Sequence, residues 1–160
     1  MNPPFIVKFC RPMVLDGSHS TLTKADVESA VRGYWRALSA KEAVQQQNFY
    51  DDHAGIFATE SSRLERARVV LLRRQREYLS AATRTAVQVG EIEVDLIGPH
   101  HAVAAYTIQL DAKHIARTLS SGSAVAEEHL ENARVTHIFQ RQSDGALRIV
   151  HEHISVPHPH

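Results

Sequence analysis

Two strand-like runs near the C-terminus carry the side chains that could do chemistry. They flank Asp144-Gly145, a pair that tolerates the positive φ angles of a tight hairpin turn. If that turn has two residues, alternation along both strands gathers one polar set on a single face. This set is Arg134, Thr136, Ile138, His151, His153 and Ser155. The opposite face would carry Val135, His137, Phe139, Val150, Glu152 and Ile154. A turn of another length would slip the register and exchange the faces of one strand.

An arginine, an imidazole and a hydroxyl on one face would recognise an anion if they were buried together. Arg134, His153 and Ser155 form such a group in this register. A buried guanidinium favours a carboxylate or phosphate ligand, because leaving it unpaired is costly. Two plainer alternatives remain open. One is a structural salt bridge from Arg134 to a nearby carboxylate, and the other is a face that simply contacts solvent.

Metal binding and nucleophilic catalysis have less support in the pattern. His151 and His153 can point the same way, but a catalytic zinc site needs a third protein ligand. His137 is nearby in sequence, yet it faces away in the predicted register. Cys10 lies in the N-terminal segment, and no Ser-His-acid arrangement follows from local spacing. We therefore expect neither a metal nor another cofactor.

The composition is that of a soluble globular domain. The chain has 160 residues, 43% hydrophobic and 22% charged, with 18 basic residues balanced by 18 acidic ones. This balance does not favour nucleic-acid binding. No apolar run reaches the ~20 residues that span a bilayer, and Lys8 and Arg11 interrupt the one near the N-terminus. With a single cysteine, the prediction is a cytoplasmic protein without membrane or nucleic-acid partners.

Helices and long strands are predicted to position the hairpin. Residues 1–20 read as an extended arm, and a helix capped by Thr23 follows, with an apolar stripe that includes Tyr34. Residues 43–49 suggest a short helix, 55–60 a short strand and 64–82 a long helix with an arginine-rich, solvated flank. Strands at 86–97 and 102–116 precede the hairpin, with a bulge at Gly90. This order predicts an α+β fold whose curved antiparallel sheet wraps on N-terminal helices.

The final segment, residues 131–157, carries a family resemblance. It has an Arg-Val strand, the Asp-Gly turn and a Val-His-x-His-x-Ser strand followed by proline. It resembles the association domain of calcium/calmodulin-dependent protein kinase II and its stand-alone bacterial relatives. These belong to the SnoaL-like branch of the nuclear-transport-factor-2-like superfamily. The resemblance covers roughly residues 21–157 and leaves the arm and a tail at 158–160 outside.

The resemblance implies a cone-shaped barrel with a pocket between the concave sheet face and the first helix. It implies assembly through the outer sheet face, as a homodimer or as stacked dimers. It also places Arg134, Thr136 and His153 toward the pocket, in which we expect a small acidic or carbonyl-bearing ligand. The predicted ligand-binding residues are Tyr34, Arg134, Thr136, His153 and Ser155.

Ketosteroid isomerases share this fold, and the first helix is similar to theirs. Tyr34 falls at the position of the tyrosine that polarises the substrate carbonyl. The general-base aspartate, however, falls near Phe57, and the second oxyanion acid falls near Thr136. A phenyl ring cannot accept a proton. The alternatives are thus a cyclase, isomerase or dehydratase that uses Tyr34 and His153, or a purely structural oligomerisation module.

Overall fold

The computed structural model describes residues 21–59, 61–77, 83–117 and 123–157. The predicted N-terminal arm, most of the turn expected at 120–123 and the tail lie outside these residues. The helices are α1 (Lys24–Ser39), α2 (Ala43–Asn48) and α3 (Ala67–Glu77). The strands are β1 (Tyr50–Phe57), β2 (Glu65–Arg66), β3 (Thr83–Ile97), β4 (His101–Arg117), β5 (Ser123–Arg141) and β6 (Leu147–Ser155).

Helix α1 begins as the sequence predicts. The Asp26 amide donates to the Thr23 hydroxyl at 3.2 Å, and the Thr23 amide donates to Asp26 Oδ2 at 3.0 Å. This reciprocal pair is a capping box, which satisfies amides that have no partner inside the helix. The predicted stripe spaced by three and four residues is buried except at Ala30, which is half-buried. Its buried members are Val27, Val31, Tyr34, Trp35 and Leu38.

The strands form one mixed, open sheet in the order β2-β1-β6-β5-β4-β3. β1 runs parallel to β6, and the other neighbours pair antiparallel. One side of the sheet, the inner face, packs against the buried stripe of α1. The other side is the outer face. The α+β fold with N-terminal helices is therefore confirmed, although the sheet includes a parallel pair that the sequence did not indicate.

Two predicted boundaries were wrong. The strand expected at 55–60 begins at Tyr50, and the helix expected from residue 64 begins at Ala67. Glu65 and Arg66 pair with Ile56 and Gly55 of β1 instead, so sheet pairing overrides the helical pattern there. Residues 78–82 of that predicted helix lie outside the described part of the chain. The bulge at Gly90 is confirmed, since the register shifts between Val89 and Ile92.

The final hairpin keeps its predicted pairing but has a different turn. Arg134 pairs with Ser155, Thr136 with His153 and Ile138 with His151. The Gln142 amide donates to the Ala146 carbonyl at 2.8 Å, so residues 143–145 form a loop one residue longer than predicted. Gly145 in this loop has φ 84°. A bulge at Val150 compensates, so that Ile149 rather than Val150 lies opposite Phe139. Loop and bulge together restore the register that a two-residue turn would give.

Candidate functional site

The polar set predicted to line the pocket lies on the outer face. Arg134 and His153 are exposed, and Thr136 and Ser155 are half-buried. The other side of both strands carries the larger apolar side chains, which pack against α1 and leave the polar side outward. Tyr34 is buried within the core. The predicted placement of Arg134, Thr136 and His153 in the pocket is thus wrong, and none of them is brought together with Tyr34.

The inner face instead holds a connected set of polar side chains, here called the buried polar chain. Its centre is a carboxylate, Glu152, beside an imidazole, His137, and both side chains are 0% exposed. His137 Nε2 lies 2.7 Å from Glu152 Oε2. The members, contributed by α1, β1, β4, β5 and β6, are Tyr34, Trp35, Tyr50, Tyr106, His137 and Glu152.

Two arms of hydrogen bonds converge on this carboxylate. In one arm, Tyr50 donates to Glu152 Oε2 at 2.5 Å, and the Tyr34 hydroxyl lies 2.8 Å from that of Tyr50. In the other arm, the Trp35 indole donates to the Tyr106 hydroxyl at 2.8 Å. The Tyr106 hydroxyl lies 3.1 Å from His137 Nδ1.

The second arm runs from the Trp35 indole to the Glu152 carboxylate, and these two groups limit which atom donates in each hydrogen bond. An indole can only donate and an ionised carboxylate can only accept. With an ionised Glu152, one assignment that satisfies both ends has Tyr106 donating to Nδ1 of His137, and Nε2–H donating to Glu152. Moving an isolated, ionised carboxylate from water into a protein interior costs on the order of several kcal/mol of desolvation free energy. Charge-assisted hydrogen bonds from His137 and Tyr50 offset that cost.

Aromatic packing holds the chain in place. The Tyr34 ring packs edge-to-face on four other rings, with centroids 4.8 to 5.9 Å apart. This geometry is favourable for aromatic pairs and restricts the orientation of each ring. The four partners are Trp35, Phe49, Tyr50 and His137.

A cavity of about 700 Å³ lies between α2, β1 and α3, next to the buried polar chain. We call it the helix-side cavity. Tyr50 belongs to its wall and to the buried polar chain, so this tyrosine links the cavity to Glu152. The volume lies within the range of ordinary ligand pockets. The wall is Gln47, Tyr50, Asp51, Asp52, His53, Ala67, Arg68, Leu71 and Leu72.

The sequence held one signal for this site. His137 and Glu152 were both expected on the face opposite the polar set, and they are direct cross-strand partners. A residue pair of this kind on a face with Val135, Phe139 and Ile154 indicates a buried polar contact. Tyr50 and Tyr106 gave no such signal, since they lie on β1 and β4, far along the chain from Glu152 and His137.

Two histidines outside the core have shifted pKa values. Burial lowers the pKa of His151, and the neighbouring His153 lowers it further. Hydrogen bonds to Glu131 and then to Asp111 raise the pKa of His129.

In the ranges that the structure describes, no three His, Cys, Asp or Glu side chains are placed to hold a metal ion. None of the helices described there has the length and apolar character needed to cross a membrane.

A profile of the SnoaL-like domain matches residues 27–159. The chain belongs to the SnoaL-like domain family. This match confirms the SnoaL-like resemblance, which the sequence indicated over roughly residues 21–157. The sequence matches none of the curated proteins against which it was compared.

Solved structures with the same fold include association domains. That of the Caenorhabditis elegans kinase, CaMKII, superposes with a TM-score of 0.62 at 16% identity, over 83% of this chain and 95% of the other. A calcium/calmodulin dependent protein kinase II association domain from Xanthomonas campestris gives 0.61 at 16% identity, over 82% and 86%. An NTF2-like protein of unknown function from Pseudomonas putida gives 0.64 at 14% identity, over 88% and 92%. At these identities the similarity is one of fold.

Proposed function

We propose that this SnoaL-like domain associates with copies of itself and binds a small carbonyl- or hydroxyl-bearing molecule in the helix-side cavity. The observation that carries the ligand proposal is the position of Tyr50. Tyr50 is part of the cavity wall, while its hydroxyl is hydrogen-bonded to Glu152 and Tyr34. The wall combines apolar residues of α3 with polar and charged side chains, and ligand sites likewise join apolar surface to polar groups.

The charges around the cavity favour a neutral ligand over an acidic one. Asp51 and Asp52 stand against a single arginine, Arg68, among the wall residues. An acidic ligand would meet two carboxylates there, and like charges repel at short range. Of the two ligand classes predicted from the sequence, the carbonyl-bearing one therefore fits this cavity. Leu71 and Leu72 supply apolar contact for its body.

Support for self-association comes from the outer face of β1, β6 and β5. Phe57 is 38% exposed there, and its ring lies 6.0 Å from that of His151 and 6.1 Å from that of His153. We call Phe57, Thr136, Ile138, His151 and His153 the outer patch. Exposed aromatic and apolar surface on a sheet is typical of an interface. The association domains with this fold make a second copy of the chain the proposed occupant.

The association is tested by changing the exposed aromatic side chain of the patch. Phe57→Glu places a charge in the proposed interface, so we expect it to lower the mass in solution from a dimer or larger assembly to a monomer. The control is Val44→Glu, because Val44 lies on α2 and is 72% exposed. The readout is light scattering after size-exclusion chromatography. A wild-type monomer, or an unchanged assembly in Phe57→Glu, would contradict the proposal.

The ligand site is tested by narrowing the cavity. Leu72 lines it and is half exposed on α3, so Leu72→Trp adds bulk without disturbing the core. Val69→Trp is the matched control on the same helix, since Val69 is exposed and is not part of the wall. Wild type is screened with neutral carbonyl and hydroxyl compounds for thermal stabilisation. We expect Leu72→Trp to abolish the shift and Val69→Trp to retain it. If no compound stabilises the wild type, the helix-side cavity is not a site for neutral carbonyl or hydroxyl compounds, and the ligand proposal is wrong.

A second candidate function is catalysis at the same cavity. It is favoured by one feature of the buried polar chain, the two tyrosine hydroxyls that lead to Glu152. The predicted acid-base pair of Tyr34 and His153 is separated by the sheet, and Phe57, at the expected position of the base, is on the outer patch. Glu152 with His137 is the pair that could exchange a proton with Tyr50. A turnover screen with carbonyl substrates, compared between wild type and Glu152→Gln, separates this function from binding alone.

A further inference from the structure

We infer that a second site, a groove beside α1, binds the anionic group of a small organic acid or phosphate ester. The groove has a volume of about 470 Å³ and lies between α1 and the β5-β6 turn. Three guanidinium groups line it, those of Arg32, Arg36 and Arg141, with one carboxylate, Asp26. Three positive charges against one negative charge leave the groove cationic, in contrast to the helix-side cavity.

Arg32 and Arg36 are placed to act on one ligand. They are four residues apart on α1, so their side chains emerge on the same side of the helix. Both are exposed. No carboxylate of residues 21–59, 61–77, 83–117 or 123–157 forms an ion pair with either of them. Their charge is thus available to an anion in the groove.

Arg141 is fixed in the opposite wall. Its Nη2 donates to Asp26 Oδ2 at 2.9 Å, and its Nη1 donates to the Gly145 carbonyl at 3.2 Å. The side chain is only 12% exposed. Hydrogen bonds from Thr23, and the charge of Arg141, lower the pKa of Asp26 and keep this carboxylate ionised. Asp26 therefore holds Arg141 in position by an ion pair.

Arg141 acts on a ligand in the groove through its charge. Its Nε is buried, and its Nη1 and Nη2 already donate to Gly145 and Asp26. The hydrogen bonds to an anion would therefore come from Arg32 and Arg36, whose guanidinium groups can bind carboxylate or phosphate oxygens in pairs.

The floor of the groove defines the rest of the ligand. Ala30, Gly33, Phe49 and Leu147 line it with apolar surface. An anion with a small apolar or aromatic body would contact both this floor and the guanidinium groups. An inorganic anion would contact only the guanidinium groups. We therefore expect an aryl carboxylate to bind more tightly than inorganic phosphate.

The test is calorimetric titration of the full chain at low ionic strength with phenylacetate, phenylacetamide and inorganic phosphate. Phenylacetate should bind, phosphate should bind more weakly, and the neutral amide should not bind. The double variant Arg32→Gln/Arg36→Gln should weaken phenylacetate binding by about tenfold or more, because two charge-assisted contacts are lost. Added salt should weaken it as well, since both groups are exposed.

The matched control is Arg63→Gln/Arg148→Gln, which removes the same charge from residues outside the groove wall. Equal weakening by the two double variants would mean general attraction to a cationic surface and would overturn the inference. Binding of the amide as tight as that of the acid would do the same, as would no binding to wild type. Leu72→Trp, which narrows the helix-side cavity, should leave phenylacetate binding unchanged. If it abolishes that binding, the acid occupies the helix-side cavity and the groove is not the site.

Discussion

Glu152 is a carboxylate with no exposed side-chain surface, and its neighbours explain how the fold accommodates it. An imidazole, His137, and a phenol, Tyr50, both direct protons to the same oxygen. Removing one partner of such a group leaves a buried charge without compensation, which costs more than the contact itself contributes. The buried polar chain should therefore be sensitive to single changes and more tolerant of paired ones.

His137→Leu tests this dependence. We expect it to lower the free energy of unfolding by about 3–5 kcal/mol, because Glu152 loses its imidazole partner. His101→Leu, at an exposed position on β4, should change the free energy by about 0.5 kcal/mol or less. Both are measured by urea denaturation at one protein concentration. The double variant His137→Leu/Glu152→Leu should be less destabilised than the sum of its single changes. A strictly additive result would mean that the pair is not coupled.

The sequence predicted most of the secondary-structure elements, but the prediction of which hairpin face is buried was wrong. Alternation gave the pairing of Arg134 with Ser155 and of Thr136 with His153. The loop is longer than expected, but the bulge at Val150 returns the strands to that register. Alternation alone does not say which face is buried. Val135, Phe139 and Ile154 on one side were the physical signal, and the resemblance pointed to the other side.

The parts that the sequence could not give are those formed between distant segments. Helix α1 was predictable because its cap and its apolar stripe are local patterns. The contact of Tyr50 with Glu152 spans 102 residues, and that of Trp35 with Tyr106 spans 71. Neither spacing nor composition carries such information. The groove around Arg141 was missed for the same reason, since its walls come from α1 and the hairpin turn.

The bulge in β3 depends on a glycine at position 90. A Cβ there would lie 2.8 Å from Thr107 Oγ1 and 3.3 Å from the Thr107 carbonyl oxygen. Gly90→Ala should therefore lower the free energy of unfolding by about 1–3 kcal/mol through overpacking. In a Thr107→Ala background, the hydroxyl is gone and only the carbonyl contact remains, so the cost should fall. Thermal and urea denaturation of the four proteins measure this difference. An equal cost in both backgrounds would mean that Thr107 does not limit the space at Gly90.

If copies of the chain associate through the outer patch, as proposed, their association should depend on pH. His151 lies in that patch, and burial followed by the charge of His153 lowers its pKa below the usual 6.5. Glu152 opposes this shift and His137 adds to it, both from the inner face. The unfolded chain therefore takes up the proton first as the pH falls from 6.5. The stability contributed by neutral His151 is complete above 6.5 and is lost between that value and the lowered pKa.

A partner chain that covers the patch would bury His151 further and lower its pKa again, so protonation should also oppose association. We expect the dissociation constant of the assembly to rise as the pH falls from about 7.5 to about 5.5, because protonation of His151 opposes its burial in the interface. Analytical ultracentrifugation across this range measures it. His151→Gln should remove most of the dependence, because the glutamine stays neutral. His129→Gln is the control, since the pKa of His129 is raised by Glu131 and Asp111 and this exposed residue is not part of the patch. If the pH dependence survives when both patch histidines, His151 and His153, are changed to glutamine, the outer patch is not the interface.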